Sequence, residues 1–231
     1  MDARRFHLSL SSAPDVSVSL ERTGPCNLHA GIVYLDAGGS LNKLHFGWHR
    51  YLLKKPYNNV ACAVPLLDRA HSMWIATFCG KIARNAANRG TIPYNLKYDE
   101  DVDFDTDTGT VRFGPESTGL NCATFVLAVF RSASNPLVST VGWPAASTED
   151  VTIQTGFINR LLDDPNDPTA AQQARIINSE VGTRRVAPHH VAGSCLENEY
   201  PVPYAPCEAN GSYMVTQIDG ASAASPSGGG T

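Results

Sequence analysis

Leu28-His29-Ala30-Gly31-Ile32-Val33-Tyr34-Leu35 is a run of β-branched, aromatic and small residues that stops at the turn signal Asp36-Ala37-Gly38-Gly39. Leu41 to Trp48 then reads as the returning strand of a hairpin. Upstream, Phe6-His7-Leu8-Ser9-Leu10 and Val16-Ser17-Val18-Ser19-Leu20 alternate apolar and polar residues on either side of a Pro-Asp turn, and they read as edge strands. Downstream, residues 66–87 turn helical, with Leu67, Ala70, Trp74, Phe78 and Ile82 near helical spacing and Gly90 as the stop. A second helix should begin at Cys122: Thr118-Gly119-Leu120-Asn121 supplies a turn and an N-cap, and the residues that follow are apolar nearly all round, so this helix is buried. Helical segments are expected at 156–163 and 168–180, the latter with Asp167 as cap and Pro168 at its first position. The pattern predicts an α+β fold, an antiparallel sheet packed on the helix that starts at Cys122. It predicts one domain over residues 1–219 with a C-terminal extension from about 140, and a flexible tail over 220–231 that ends Ser-Pro-Ser-Gly-Gly-Gly-Thr.

Composition narrows the partners. Of the 231 residues, 18 are Lys or Arg and 22 are Asp or Glu, a net charge of −4. No basic run exceeds the pairs Arg4-Arg5, Lys54-Lys55 and Arg184-Arg185, which argues against nucleic acid. The longest apolar run, Ala123 to Phe130, is far short of the ~20 residues of a membrane span. Arg4 and Arg5 are followed by His-Leu-Ser-Leu rather than the apolar core of a signal peptide, so the expectation is a chain made in the cytoplasm. Six scattered cysteines, at 26, 62, 79, 122, 195 and 207, fit a reducing compartment, with Cys195 and Cys207 the one conceivable pair.

Chemistry centres on Cys122. Free cysteine is commonly only a packing residue. At the first turn of a helix, however, unpaired N–H groups and the positive dipole end favour thiolate. A thiol hydrolase also needs an imidazole to take the thiol proton and a third polar group to orient that imidazole. His29 opens one strand of the hairpin and His45 lies in the other, where neighbouring strands can set the rings side by side. His49 is the alternative to His45. A competing reading is zinc: Cys26-x2-His29 and His45-x3-His49 have paired-ligand spacing, although Ala30 to Leu35 reads as a core strand. His189-His190 near Cys195 reads as a surface pair in a Pro-rich loop, and Cys62 and Cys79 as core. Residues 99–110 form an acidic loop that lacks the sixth-position Gly and twelfth-position Glu of a calcium loop.

The run Leu28 to Leu35, the Gly-rich turn, His45, and then Asn121-Cys122-Ala123-Thr124-Phe125-Val126 resembles the circularly permuted NlpC/P60 group of papain-like cysteine hydrolases. That group includes the YiiX-type proteins, the lecithin:retinol acyltransferase-like enzymes and, more distantly, the desumoylating PPPDE peptidases. Gly90-Thr91-Ile92-Pro93-Tyr94-Asn95 is similar, with one residue more between Gly and Tyr, to the Gly-x-x-Tyr-Asp/Asn segment of the YiiX-type members, and Tyr94 is a further candidate to donate into the site. The resemblance spans residues 26–131. It implies a papain-like catalytic domain with Cys122 as nucleophile, His29 as general base and His45 as orienting residue, and it implies no metal or cofactor. The Cys122 N–H at the helix terminus would meet the oxyanion first. The expected activity is hydrolysis of amide bonds, first of all in a peptidoglycan peptide stem as an amidase or endopeptidase. Without a signal peptide such an enzyme would be an exported antibacterial toxin, which brings an immunity protein as partner. The alternatives are a protease or deamidase of a target protein, a lipid acyltransferase, and a non-enzymatic zinc-stabilised binding module.

Overall fold

The hairpin forms the middle of a larger sheet in the computed structural model, which describes every residue except 11, 25, 26, 99 and 225–231. The strands are β1 (Phe6–His7), β2 (Val16–Gly24), β3 (Asn27–Leu35), β4 (Leu41–Trp48), β5 (Tyr51–Pro56) and β6 (Ala61–Ala63). They make one antiparallel sheet in the order β1-β6-β2-β3-β4-β5. The stretch 16–20, expected at an edge, is therefore interior. Ala61-Cys62-Ala63 docks on its open side, with Ser19 opposite Cys62 and Leu20 opposite Ala61. Three residues are too few to show a period of two, which is why the sequence hides this strand.

Register sorts the sheet into two faces. Val18 opposite Ile32 and Ile32 opposite Leu44 put Val16, Val18, Leu20, Ala30, Ile32, Tyr34, Leu44 and Phe46 on the core side. The helices α1 (Arg69–Arg84) and α2 (Cys122–Ser132) contribute Ile75, Phe78, Ile82, Phe125, Val126 and Val129 to the same core. Each large side chain fully buried there contributes about 1.5–3 kcal/mol relative to exposure. The opposite parity is polar: Ser17 faces Val33, Ser19 faces Gly31, Glu21 faces His29, and Val33 faces Lys43. Ser17, Ser19 and Cys62 are nonetheless fully buried, and Lys43 is 4% exposed and ion-paired with Glu21 at 2.6 Å.

Two further strands, β7 (Val102–Phe104) and β8 (Val111–Phe113), form a hairpin out of the expected acidic loop. Val102 and Phe104 are buried while Asp103 between them is exposed, so the acidic residues conceal a two-residue alternation. Asp105 Oδ1 accepts the N–H groups of Asp107 (3.0 Å) and Thr108 (2.7 Å), which is turn capping. The helix expected over 66–87 is α1, capped by Asp68. Helix α3 (Thr148–Leu162) starts eight residues before the expected 156, because Ser147 and Asp150 form a capping box. Helix α4 (Ala170–Ile177) continues as a 3-10 turn to Glu180. Asp167 does not cap α4 directly: it accepts from Thr169, and Thr169 is the N-cap residue. The chain ends in α5 (Pro188–Ser194) and α6 (Tyr204–Ala224). Helix therefore occupies residues 220–224, where a flexible tail was expected, and the rest of that tail, 225–231, lies outside the described residues.

A parallel bridge between Tyr94 and Leu120 ties the segment before β7 to the start of α2. Leu120 N–H donates to Pro93 O (2.9 Å) and Asn95 N–H to Leu120 O (3.1 Å). Gly119 permits the approach, with φ +141°, where a Cβ would sit 2.1 Å from Pro93 O. Gly119→Ala should therefore lower stability by about 2–4 kcal/mol, read as a drop in the urea midpoint. An unchanged midpoint would show that this backbone contact yields freely.

Candidate active site

Asn121 fixes where α2 begins. Its Oδ1 accepts from Ala123 N (3.1 Å) and Thr124 N (3.1 Å), and Thr124 Oγ1 accepts from Asn121 N (2.8 Å). The reciprocal cap leaves Cys122 as the first helical residue, as the sequence implied, so its own N–H has no partner within the helix. Cys62, Cys79, Cys195 and Cys207 are buried free thiols, and Cys122 is a free thiol that is partly exposed. Burial pushes Cys122 up, but the charge and hydrogen bond of His29, together with the N–H of Ala30, outweigh it and hold the thiol below its ordinary value. Burial alone would lower His29; the Cys122 charge and hydrogen bond, with help from Glu21, raise it instead. Each shift favours the charged form of its group, thiolate for Cys122 and imidazolium for His29. By contrast, burial drives Cys62, Cys195 and Cys207 up to about 12.

His29 Nε2 lies 2.7 Å from His45 Nδ1, with the rings edge to face at 83°. Burial, followed by the charges of His29 and Lys43, pushes His45 down to about 3, so it stays neutral. The contact is then His29 Nε2–H donating to His45 Nδ1, which leaves His29 Nδ1 for the thiol. The proton of His45 sits on Nε2, which is buried without a partner. Leaving it so costs about 1–3 kcal/mol. Gly31 makes room for this contact: a Cβ there would fall 2.9 Å from His45 Cβ.

Comparisons with protein-family models, curated proteins and solved structures found no match to this chain. What the site can do therefore rests on its own geometry.

His49 does not join the pair. Its Nδ1 accepts from Tyr94 N (3.1 Å) and its Nε2 meets Thr169 Oγ1 (3.0 Å), so both ring nitrogens brace the structure. The four-ligand zinc set is not assembled: His29 and His45 face each other, His49 is committed elsewhere, and Cys26 lies outside the described residues. His189 and His190, expected as a surface pair, are instead partly and fully buried on α5, where both meet Glu208 of α6 at 3.3 and 2.6 Å. These three could offer ligand atoms to a metal. Ala187 N–H, however, donates to His190 Nδ1 (3.0 Å), which puts the neutral ring's proton on Nε2, the atom turned to Glu208. A metal there would have to displace that proton, so the cluster reads as a brace between α5 and α6.

Cys122 opens on a cavity of about 30 Å³ shared with Tyr94, Asn95, Asn121, Gln154, Phe157 and Arg185. The C-terminal third of the chain thus roofs the nucleophile. Gln154 of α3 clamps the roof by accepting from Gly182 N (2.8 Å) and donating to Thr183 O (3.0 Å), while Arg185 pairs with Asp150 at 3.0 Å. No local sequence signal marks Gln154 or Arg185, because their partners are distant in sequence or main-chain. Tyr94, Trp48 and Phe157 pack their rings against one another. Beyond Trp48 lies a larger cavity of about 890 Å³, lined among others by Arg50, Arg160, Asp163, Asp164 and Asp167.

With Cys122 shifted down and His29 up, the thiolate persists below the ordinary thiol pKa of ~8.5. Limiting iodoacetamide at a pH below that value should therefore modify Cys122 ahead of Cys62, Cys79, Cys195 and Cys207. In His29→Ala the onset of labelling should move up toward the ordinary thiol range. Equal labelling of all these thiols, or an unmoved onset in the variant, would show that no ion pair forms.

Proposed function

We propose that this chain is a cysteine hydrolase of amide bonds with a papain-like, permuted NlpC/P60 arrangement. The observation that carries the proposal is Cys122 at the first position of a buried helix, hydrogen-bonded to His29, which His45 holds from behind at 2.7 Å. Cys122 Sγ would attack the carbonyl carbon, and His29 would give its Nδ1 proton to the departing nitrogen as the C–N bond breaks. A water, deprotonated by the now neutral His29, would then add to the thioester, and its collapse would return the Cys122 thiolate and the His29 imidazolium. His45 would remain a neutral acceptor that keeps the ring in plane.

From the resemblance of residues 26–131, the substrate we infer is a peptidoglycan peptide stem. The large cavity beside the site supports it, since one wall is an indole with Arg160 4.2 Å above it and the rest carries both signs of charge. Such a lining suits a peptide that bears ammonium and carboxylate groups together. Incubation with purified sacculi should release new amino groups and muropeptides seen by mass spectrometry, and Cys122→Ala should lower the rate by at least about 10³-fold. Undiminished cleavage by the variant would refute the mechanism. Intact sacculi together with mass shifts in proteins of a lysate would move the substrate to a target protein.

A further inference from the structure

We propose that the side-chain amide of Asn95, together with the main-chain N–H of Cys122, forms the oxyanion hole of this site; the inference rests on the hydrolase reading above. Asn95 is fully buried, lines the Cys122 cavity, and its Nδ2 has no hydrogen-bond partner. An idle buried donor costs about 1–3 kcal/mol, and of the described residues that bury an unpartnered polar side-chain atom, Asn95 is the one that lines the Cys122 cavity.

The orientation of that amide follows from the cap of α2. Asn121 Oδ1 is spent on Ala123 N and Thr124 N, so Asn121 Nδ2 is the end that faces Asn95, 3.4 Å from both its Oδ1 and its main-chain O. Turning the Asn95 amide over would set two donors against each other. Its Oδ1 therefore faces Asn121, and Nδ2 is the free end. The parallel bridge of Tyr94 to Leu120 holds Asn95 beside the helix start. Of the other polar side chains of the cavity, Gln154 clamps Gly182 and Thr183, Arg185 pairs with Asp150, and Asn121 caps α2, which leaves Tyr94 as the alternative donor that the test must separate.

In the reaction, the sulfur–carbon bond forms as the carbonyl π pair moves onto oxygen. Asn95 Nδ2–H and Cys122 N–H receive that charge without giving up a proton. When the pair returns, the C–N bond breaks and the nitrogen takes its proton from His29.

Alkylation and acylation of the same sulfur separate this role from a structural one. Iodoacetamide reacts by displacement at carbon and creates no oxyanion, whereas p-nitrophenyl acetate acylates through one. Asn95→Leu, which keeps the volume, and Asn95→Ala should lower Cys122 acylation by about 10²–10³-fold, with the alkylation rate and its pH onset unchanged. Acylation that survives in both variants would overturn the inference, as would acylation and alkylation falling together. Loss of acylation in Tyr94→Phe, with the Asn95 variants unaffected, would assign the donor to Tyr94 instead. A Cys122 that is inert to both reagents in the unaltered protein would sink the hydrolase reading, and the oxyanion hole with it.

Discussion

A charge on sulfur in a cavity of about 30 Å³ survives only if fixed groups replace the water it has lost, and the geometry of β3 and α2 follows from that constraint. Three sources act at once. The N-terminal end of α2 contributes unpaired N–H groups and its dipole, Ala30 N–H donates from the neighbouring strand, and His29, whose shift favours its charged form, adds positive charge. One strand serves both purposes: Ala30, Ile32 and Tyr34 of β3 build the core, while His29 and Gly31, on the other parity, build the site.

The two histidines need opposite protonation states, and their surroundings separate them. His29 is raised by the Cys122 charge and by Glu21, whereas His45 is pushed down by burial, by His29 itself and by Lys43. Glu21 and Lys43 form an ion pair across the strands on this same face. Burying such a pair is seldom a net gain in stability, because desolvation offsets the attraction. Here its two ends oppose each other at His29, while Lys43 alone acts on His45, so the pair adds to the lowering of His45 and leaves His29 to the Cys122 charge. Two environments thus give one residue type two roles.

The C-terminal third covers the Cys122 cavity. Gln154 and Phe157 from α3, with the segment from Gly182 to Pro188, close over Cys122, and His189, His190 and Glu208 hold α5 to α6 behind that segment. Tyr94 and Phe157 line the small cavity and both contact Trp48, which lines the large one.

Local chemistry was legible in the sequence. The hairpin of β3 and β4 shows in its β-branched runs and Gly-Gly turn, the start of α2 in Asn121, and the candidate nucleophile in a cysteine placed at that start. All three are written within a few residues of themselves, so short-range rules suffice. The choice of His45 over His49, the interior place of β2, the early start of α3, the roof, and the free amide of Asn95 were not legible. Each depends on which distant group takes a given hydrogen bond: His49 loses its nitrogens to Tyr94 and Thr169, β2 gains a three-residue neighbour, and Asn95 is left a donor because Asn121 has already spent its oxygen on the helix. The sequence determined which groups exist and how they are spaced along the strands and helices. Only tertiary structure decided which of them are left unpaired at the sulfur, because hydrogen-bond satisfaction is settled across the whole fold.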